Sequence, residues 1–241
     1  MKLLIVPAFL TGLLAAAPAA ALPLPGTGLD ISAEATLMSD YRFRGLSRSD
    51  GDPALQGALT VTSDTGIYTG VRATTLKGID NFRFRNPRLQ DLGDVQLELY
   101  GGYGTDVGAG LSVDGGVRYF AFVGGEGATN YFEPYASASY LLGPVEATVG
   151  ANWAPAQRAT GDEDMLYLFG ELEAGIPLTP LTLTAHAGRQ DWGRYGSYTN
   201  WSLGGRFALG VAQVGVRYVD TNLPSAPGQR GGIVGSVGVR F

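Results

Sequence analysis

The chain carries a single histidine, His186, in the segment Leu183-Thr184-Ala185-His186-Ala187-Gly188. Histidine is the side chain best suited to move a proton near neutral pH. Ser202 falls beside it if the two flanking segments pair as extended strands. Hydrolysis by such a pair needs a nucleophile, an adjacent base, and a third group that orients the base. There is no Gly-x-Ser-x-Gly elbow, and nothing in the sequence marks an acid partner for the imidazole. A polar lining residue is the plainer reading, so no enzymatic activity is expected; a hydrolase using Ser202 and His186 is the remote alternative. Cysteine is absent, which removes thiolate nucleophiles, thiolate metal sites and disulfides. The acidic runs Ser49-Asp50-Gly51-Asp52 and Gly161-Asp162-Glu163-Asp164 lack the ligand spacing of a calcium loop and read as solvated turns. Neither metal nor cofactor is expected.

Charge offers more chemistry than catalysis does. Glu34, Asp40, Arg42, Arg44, Arg72, Glu98, Asp114 and Arg118 fall on the polar face of alternating segments, as do Glu133, Glu146, Glu171, Glu173, Arg206, Arg217 and Arg240. Buried groups of this kind are tolerable only if paired or wet. Arginines dominate the last three segments and the third; carboxylates dominate the fourth to the eighth. The expected arrangement places Arg72, Arg118, Arg206 and Arg217 opposite Glu98, Glu133 and Glu171 across a lumen, a cationic wall facing an acidic one. The alternative is a set of ion pairs that plugs the interior.

The elements that position these residues are strands. Period-two alternation recurs over 29–44, 54–62, 67–76, 95–103, 111–120, 131–140, 145–153, 165–176, 181–188, 200–208, 212–219 and 233–241. In 95–103, Val95, Leu97, Leu99, Gly101 and Tyr103 oppose Gln96, Glu98, Tyr100 and Gly102. From the second strand onward, short links (63–66, 104–110, 141–144, 177–180, 209–211) alternate with longer ones (45–53, 77–94, 121–130, 154–164, 189–199, 220–232). Tight turns at one end and loops at the other are the pattern of outer-membrane barrels, short turns periplasmic and long loops extracellular. Twelve strands packed with apolar residues inside would leave an interior too wide to fill, so the apolar face is expected to meet lipid. Aromatic residues at both strand ends, among them Tyr41, Phe43, Phe122, Tyr131, Trp153, Tyr167, Trp192, Tyr198 and Trp201 at the loop end and Tyr68, Tyr103, Tyr140 and Phe241 at the turn end, read as interfacial girdles.

Composition agrees. The 241 residues include 37 glycines, only 16% charged residues and a formal net charge of −5, which offers no basic face for nucleic acid. Lys2, the apolar run Leu3–Ala17 and the small residues Ala19-Ala20-Ala21 form a secretory signal peptide over 1–21, leaving a barrel domain over 22–241. The basic and aromatic link Lys77, Phe82, Phe84, Arg83, Arg85 and Arg88 reads either as a contact for lipopolysaccharide phosphates or as a solvated loop.

The stretch Ser39-Asp40-Tyr41-Arg42-Phe43-Arg44-Gly45, with Asp52-Pro53-Ala54-Leu55-Gln56-Gly57, resembles the opening of the TorF porin family. So do Glu98-Leu99-Tyr100-Gly101-Gly102-Tyr103, Tyr135-Ala136-Ser137-Ala138-Ser139-Tyr140, Leu183–Gly188, Tyr198-Thr199-Asn200-Trp201-Ser202-Leu203-Gly204 and Tyr218-Val219-Asp220-Thr221-Asn222, although Asn200 stands where an Asp is expected. The resemblance implies an all-β, up-and-down transmembrane barrel of about 12 strands in the outer membrane of a Gram-negative bacterium. A final strand ending in Phe241 looks like the signal read by the barrel assembly machinery. The expected function is passive diffusion of small polar or charged solutes; the alternative is a non-conducting structural or adhesive barrel that works through its loops.

Overall fold

The computed structural model describes residues 22–24, 26–77, 89–224 and 229–241. Residues 1–21 with their cleavage site, and Phe82, Phe84, Arg83, Arg85 and Arg88, lie outside the described residues. Twelve antiparallel strands form the wall: β1 Leu29–Met38, β2 Ala54–Ser63, β3 Ile67–Thr75, β4 Val95–Gly108, β5 Leu111–Val123, β6 Tyr131–Leu142, β7 Val145–Ala154, β8 Met165–Gly175, β9 Leu181–Asp191, β10 Ser197–Leu209, β11 Ala212–Thr221 and β12 Gly232–Arg240. Each pairs with its sequence neighbours, and β12 returns to β1 in the register Ser236↔Met38 to Arg240↔Glu34. The seam continues to the last residue: Ala33 and Phe241 exchange two backbone hydrogen bonds, both 2.9 Å. Closure leaves no open edge, which lipid could not solvate.

The alternation has the expected sense. Leu37, Leu59, Leu99, Val117, Val149, Leu168, Leu203, Val216 and Val237 point outward and are exposed, whereas Thr36, Gln96, Glu98, Arg118, Glu133, Asn152, Gln190 and Arg206 point inward and are buried. An apolar exterior around a polar interior is the inverse of a water-soluble barrel.

The aromatic residues divide differently from the girdle expectation. Tyr103, Tyr119, Tyr140, Trp153, Trp201, Phe207, Tyr218 and Phe241 are exposed on the outside. Tyr41, Phe43, Tyr68, Phe122, Tyr131, Tyr167, Trp192 and Tyr198 are buried within the barrel. Several inner rings lie over glycines of the adjoining strand. A Cβ on Gly102 would sit 2.3 Å from the Tyr68 hydroxyl, on Gly70 2.5 Å from that of Tyr100, on Gly116 2.6 Å from that of Tyr135, and on Gly188 2.1 Å from that of Tyr167. The missing side chains let the rings lie flat along the wall instead of crossing the lumen.

Several boundaries differ from the sequence reading. The fourth, fifth and ninth strands run further, to Gly108, Val123 and Asp191, so the turn between β4 and β5 shrinks to 109–110 and the link between β9 and β10 to 192–196. The first strand stops at Met38 rather than 44. Residues 39–53 turn inward, carrying a small hairpin of Arg42–Phe43 paired with Leu46–Ser47.

Candidate functional site: the occupied lumen

The first loop is inside the barrel. Phe43, Arg44, Gly45, Leu46, Ser47, Arg48 and Ser49 are all buried, a solvent-free state that an ordinary surface loop does not reach. The loop first organises itself. Asp40 accepts from the Arg42 Nε at 2.5 Å, the Ser47 hydroxyl at 2.5 Å and the Ser49 hydroxyl at 3.1 Å, and Ser49 Oγ accepts from the Tyr41 amide at 2.8 Å. Gly45 turns the hairpin at φ +86°, and a Cβ there would meet Thr221 Cγ2 at 2.6 Å and Asn200 Cβ at 2.7 Å. Only glycine combines that backbone with that clearance.

The loop is then fastened to the wall at four places. Arg44 Nη2 donates to both oxygens of Glu133 on β6, at 2.6 and 2.8 Å, and Nη1 donates to Gln190 on β9 at 2.7 Å. Arg48 donates to Gln96 on β4 and stacks on Phe43, 3.7 Å from the ring centroid. Tyr198 on β10 donates to the Arg44 carbonyl at 3.0 Å. Arg42 Nη1 donates to the Arg230 carbonyl at 2.6 Å. Around these anchors Tyr41, Phe43, Phe120, Phe122 and Tyr131 form an apolar cluster with Met38 and Val234. Burial raises the Tyr41 hydroxyl above its ordinary 10.0, and Gln96 donates to it at 3.1 Å, so Tyr41 stays neutral in the loop's packing.

The charged residues of the wall pair along it, not across it, which corrects the expectation of opposed cationic and acidic walls. Arg72 Nη1 lies 3.0 Å from Glu98 and its Nη2 3.9 Å from Glu34. Arg118 lies 3.4 Å from the other Glu98 oxygen and 3.9 Å from Glu133. With Arg44 on Glu133, the order Glu34–Arg72–Glu98–Arg118–Glu133–Arg44 alternates sign from β1 through β3, β4, β5 and β6 to the loop. The cause is register: Arg72↔Glu98 and Glu133↔Arg118 are direct cross-strand partners, so Coulomb attraction is satisfied at short range before it can act across the lumen. Arg206 likewise holds Glu173 at 2.6 Å.

A second polar chamber, about 460 Å³, is lined by Glu171, Glu173, His186, Ser202, Arg206 and Arg217. His186 and Ser202 are direct register partners, as the strand pairing predicts. His186 Nε2 lies 2.8 Å from the Tyr167 hydroxyl, however, and Nδ1 3.4 Å from Glu171. The sequence reading did not anticipate that carboxylate. Both ring nitrogens thus face partners other than Ser202, and the imidazole serves as a link between wall residues.

Of the signature residues, Asp40, Tyr41, Arg42, Arg44 and Gly45 build the inserted loop rather than the end of a strand. Asp52 closes the loop at its mouth with Lys77. Pro53 precedes β2, Gln56 donates to Thr74 at 2.9 Å, and Gly57 pairs with Ala35 and Ala73. Of the acidic runs, Glu163 pairs with Arg194 at 3.3 Å and Asp164 accepts from the Ala156 amide at 2.7 Å. Sequence reasoning missed Arg48, Gln96, Asn152 and Gln190. Gln96 and Gln190 share parity with Glu98 and His186, which is the signal that places them inside.

The family model described as "Bacterial protein of unknown function (Gcw_chp)" matches residues 24–232. The chain belongs to that family. None of the curated proteins matches. Among solved structures it is similar to the KdgM porin in complex with disordered oligogalacturonate, with 8% identity and a TM-score of 0.58 over 88% of this chain and 97% of that one. It is also similar to the NanC porin, with 13% identity and a TM-score of 0.56 over 88% and 98%. The fold is therefore a transmembrane barrel of the porin type.

Proposed function

We propose that the protein is an outer-membrane channel for passive diffusion of small polar solutes, in which the first loop sets the narrowest level. The observation that carries this reading is the closed apolar-outside, polar-inside wall with the first loop bound into it by hydrogen bonds and by a small apolar cluster. In this reading residues 1–21 are a signal peptide and 22–241 the mature barrel of a TorF-type protein. Its turns face the periplasm, its long loops face outward towards lipopolysaccharide, and its Phe241-terminated strand engages the assembly machinery. Arg72, Arg118, Glu98 and Glu133, with Arg206, Arg217 and Glu171, line the path.

Because Arg72, Arg118 and Arg206 are each paired with a nearby carboxylate, these charges exert little net field on a passing ion. Single-channel recording in a planar bilayer under a salt gradient tests both points. Small discrete steps with a reversal potential near zero are expected, and deletion of Arg42–Ser47 is expected to enlarge them. A folded, inserted barrel that conducts neither with the loop nor without it overturns the channel reading in favour of a structural or adhesive barrel.

A further inference from the structure

Above the inserted hairpin lies a cavity of about 610 Å³. Its chemistry is unlike that of the lumen beneath. Six rings face it, from Phe43, Phe122, Tyr131, Trp192, Tyr195 and Tyr198, with Leu92, Ala159 and Met165 between them. Its polar groups are the guanidinium groups of Arg44 and Arg48, the Gln190 amide, and the hydroxyls of Thr129, Thr160, Tyr131, Tyr195 and Tyr198. Among the described residues its lining includes two arginines and no carboxylate. Glu133, which pairs with Arg44, is not part of that lining.

A half-open, mostly apolar cavity with a few convergent polar groups at a barrel mouth has the make-up of a small-molecule site. Rings at several angles suit a flat apolar body: Trp192 and Tyr198 meet edge to face at 67°, Phe120 and Tyr131 stack at 25°, and Phe43 stands at 80° to Phe120. Arg48 donates from Nη1 to the neutral amide of Gln96 and lies over the face of Phe43, contacts that hold the guanidinium in place. A guanidinium attracts a carboxylate by charge-assisted hydrogen bonding. A sugar acid would need several in-plane hydrogen-bond partners for its hydroxyls, and this wall is mainly hydrocarbon.

We infer that this vestibule binds a small aromatic carboxylate, its ring among Phe122, Tyr131, Trp192 and Tyr198 and its carboxylate on Arg48. The inference builds on the channel reading by naming a solute class, yet binding is measured without conduction. Titration calorimetry of the purified, folded barrel would use benzoate, benzyl alcohol and galacturonate as probes. Benzoate is expected to bind saturably, and at least about tenfold more tightly than either of the others. Arg48→Gln is expected to weaken benzoate by about tenfold or more. Should Arg48→Gln fail to fold, Ala159→Phe at the cavity rim is expected to abolish binding by filling the space. Non-saturable uptake, galacturonate binding equal to or tighter than benzoate, or benzoate binding unchanged in Ala159→Phe would overturn the inference. A barrel that conducts without binding benzoate defeats this site alone, whereas one that binds benzoate without conducting defeats the channel reading and leaves the site standing.

Discussion

Arg44 and Glu133 are 89 residues apart in the chain and meet inside the barrel, two hydrogen bonds of 2.6 and 2.8 Å joining the tip of the first loop to the sixth strand. Both side chains are almost completely shielded from solvent, at 4% and 1% exposure. An ion pair so placed adds little net stability compared with an apolar pair of the same shape. Breaking it by removing one partner is costly, because the other charge stays buried. It therefore fixes where the loop sits more than it holds the barrel closed.

Glu133→Gln should accordingly destabilise the folded barrel by about 3 kcal/mol, since Arg44 loses its carboxylate and Arg118 is left with Glu98. The denaturant midpoint of the barrel in lipid vesicles measures this. The same variant should release the loop and increase single-channel current. An unchanged midpoint would show that the loop leaves the lumen freely.

Gly45→Ala places a methyl group against Thr221 and Asn200 at a backbone angle that side chains rarely adopt. The strain is of order 1–3 kcal/mol and falls on the hairpin, not on the wall. Limited proteolysis should therefore cut within 40–50 in the variant and not in the parent, while the barrel keeps its heat-resistant compact mobility on gels.

The glycines beneath the rings make a paired test. Gly188→Ala forces Tyr167 away from the wall, since its hydroxyl lies 2.1 Å from the new atom. Overpacking of this kind costs about 1–3 kcal/mol, and it also disturbs the 2.8 Å contact between Tyr167 and His186. Gly235→Ala on β12 meets nothing within 4 Å, so its unfolding midpoint should match that of the parent.

The seam predicts a difference between two changes at the last residue. Deleting Phe241 removes both backbone hydrogen bonds to Ala33; Phe241→Ala keeps them and removes only the ring. If pairing at the seam controls closure, the deletion should lower the yield of folded barrel well below that of Phe241→Ala. Equal yields would assign the effect to the ring.

The wall was legible in the sequence because lipid outside and polar groups inside impose a strict two-residue period, and every strand of the wall bears it. Parity also placed His186 beside Ser202 and Glu98 beside Gln96. The same parity puts Tyr68 with Arg72, and Phe120 and Phe122 with Arg118, so those rings belonged inside; rim aromatics read by position alone were misplaced. Pairing along the wall follows from register, which depends on turn lengths and on strands longer than the periodic core. The insertion of 39–53 was hidden because the alternation of the first strand runs on through 39–44. Its one trace is composition: Tyr41, Phe43 and Leu46 among Arg42, Arg44 and Arg48 are too apolar for a solvated link and too charged for a lipid-facing strand.

The burial of residues 43–49 also divides the chain by what can reach it. A macromolecule too wide to enter the barrel meets exposed rim residues such as Asp162 and Arg194 but not the hairpin. The stretch from Asp40 to Gly45 answers only to the fit of its own enclosure and to molecules small enough to pass beside it.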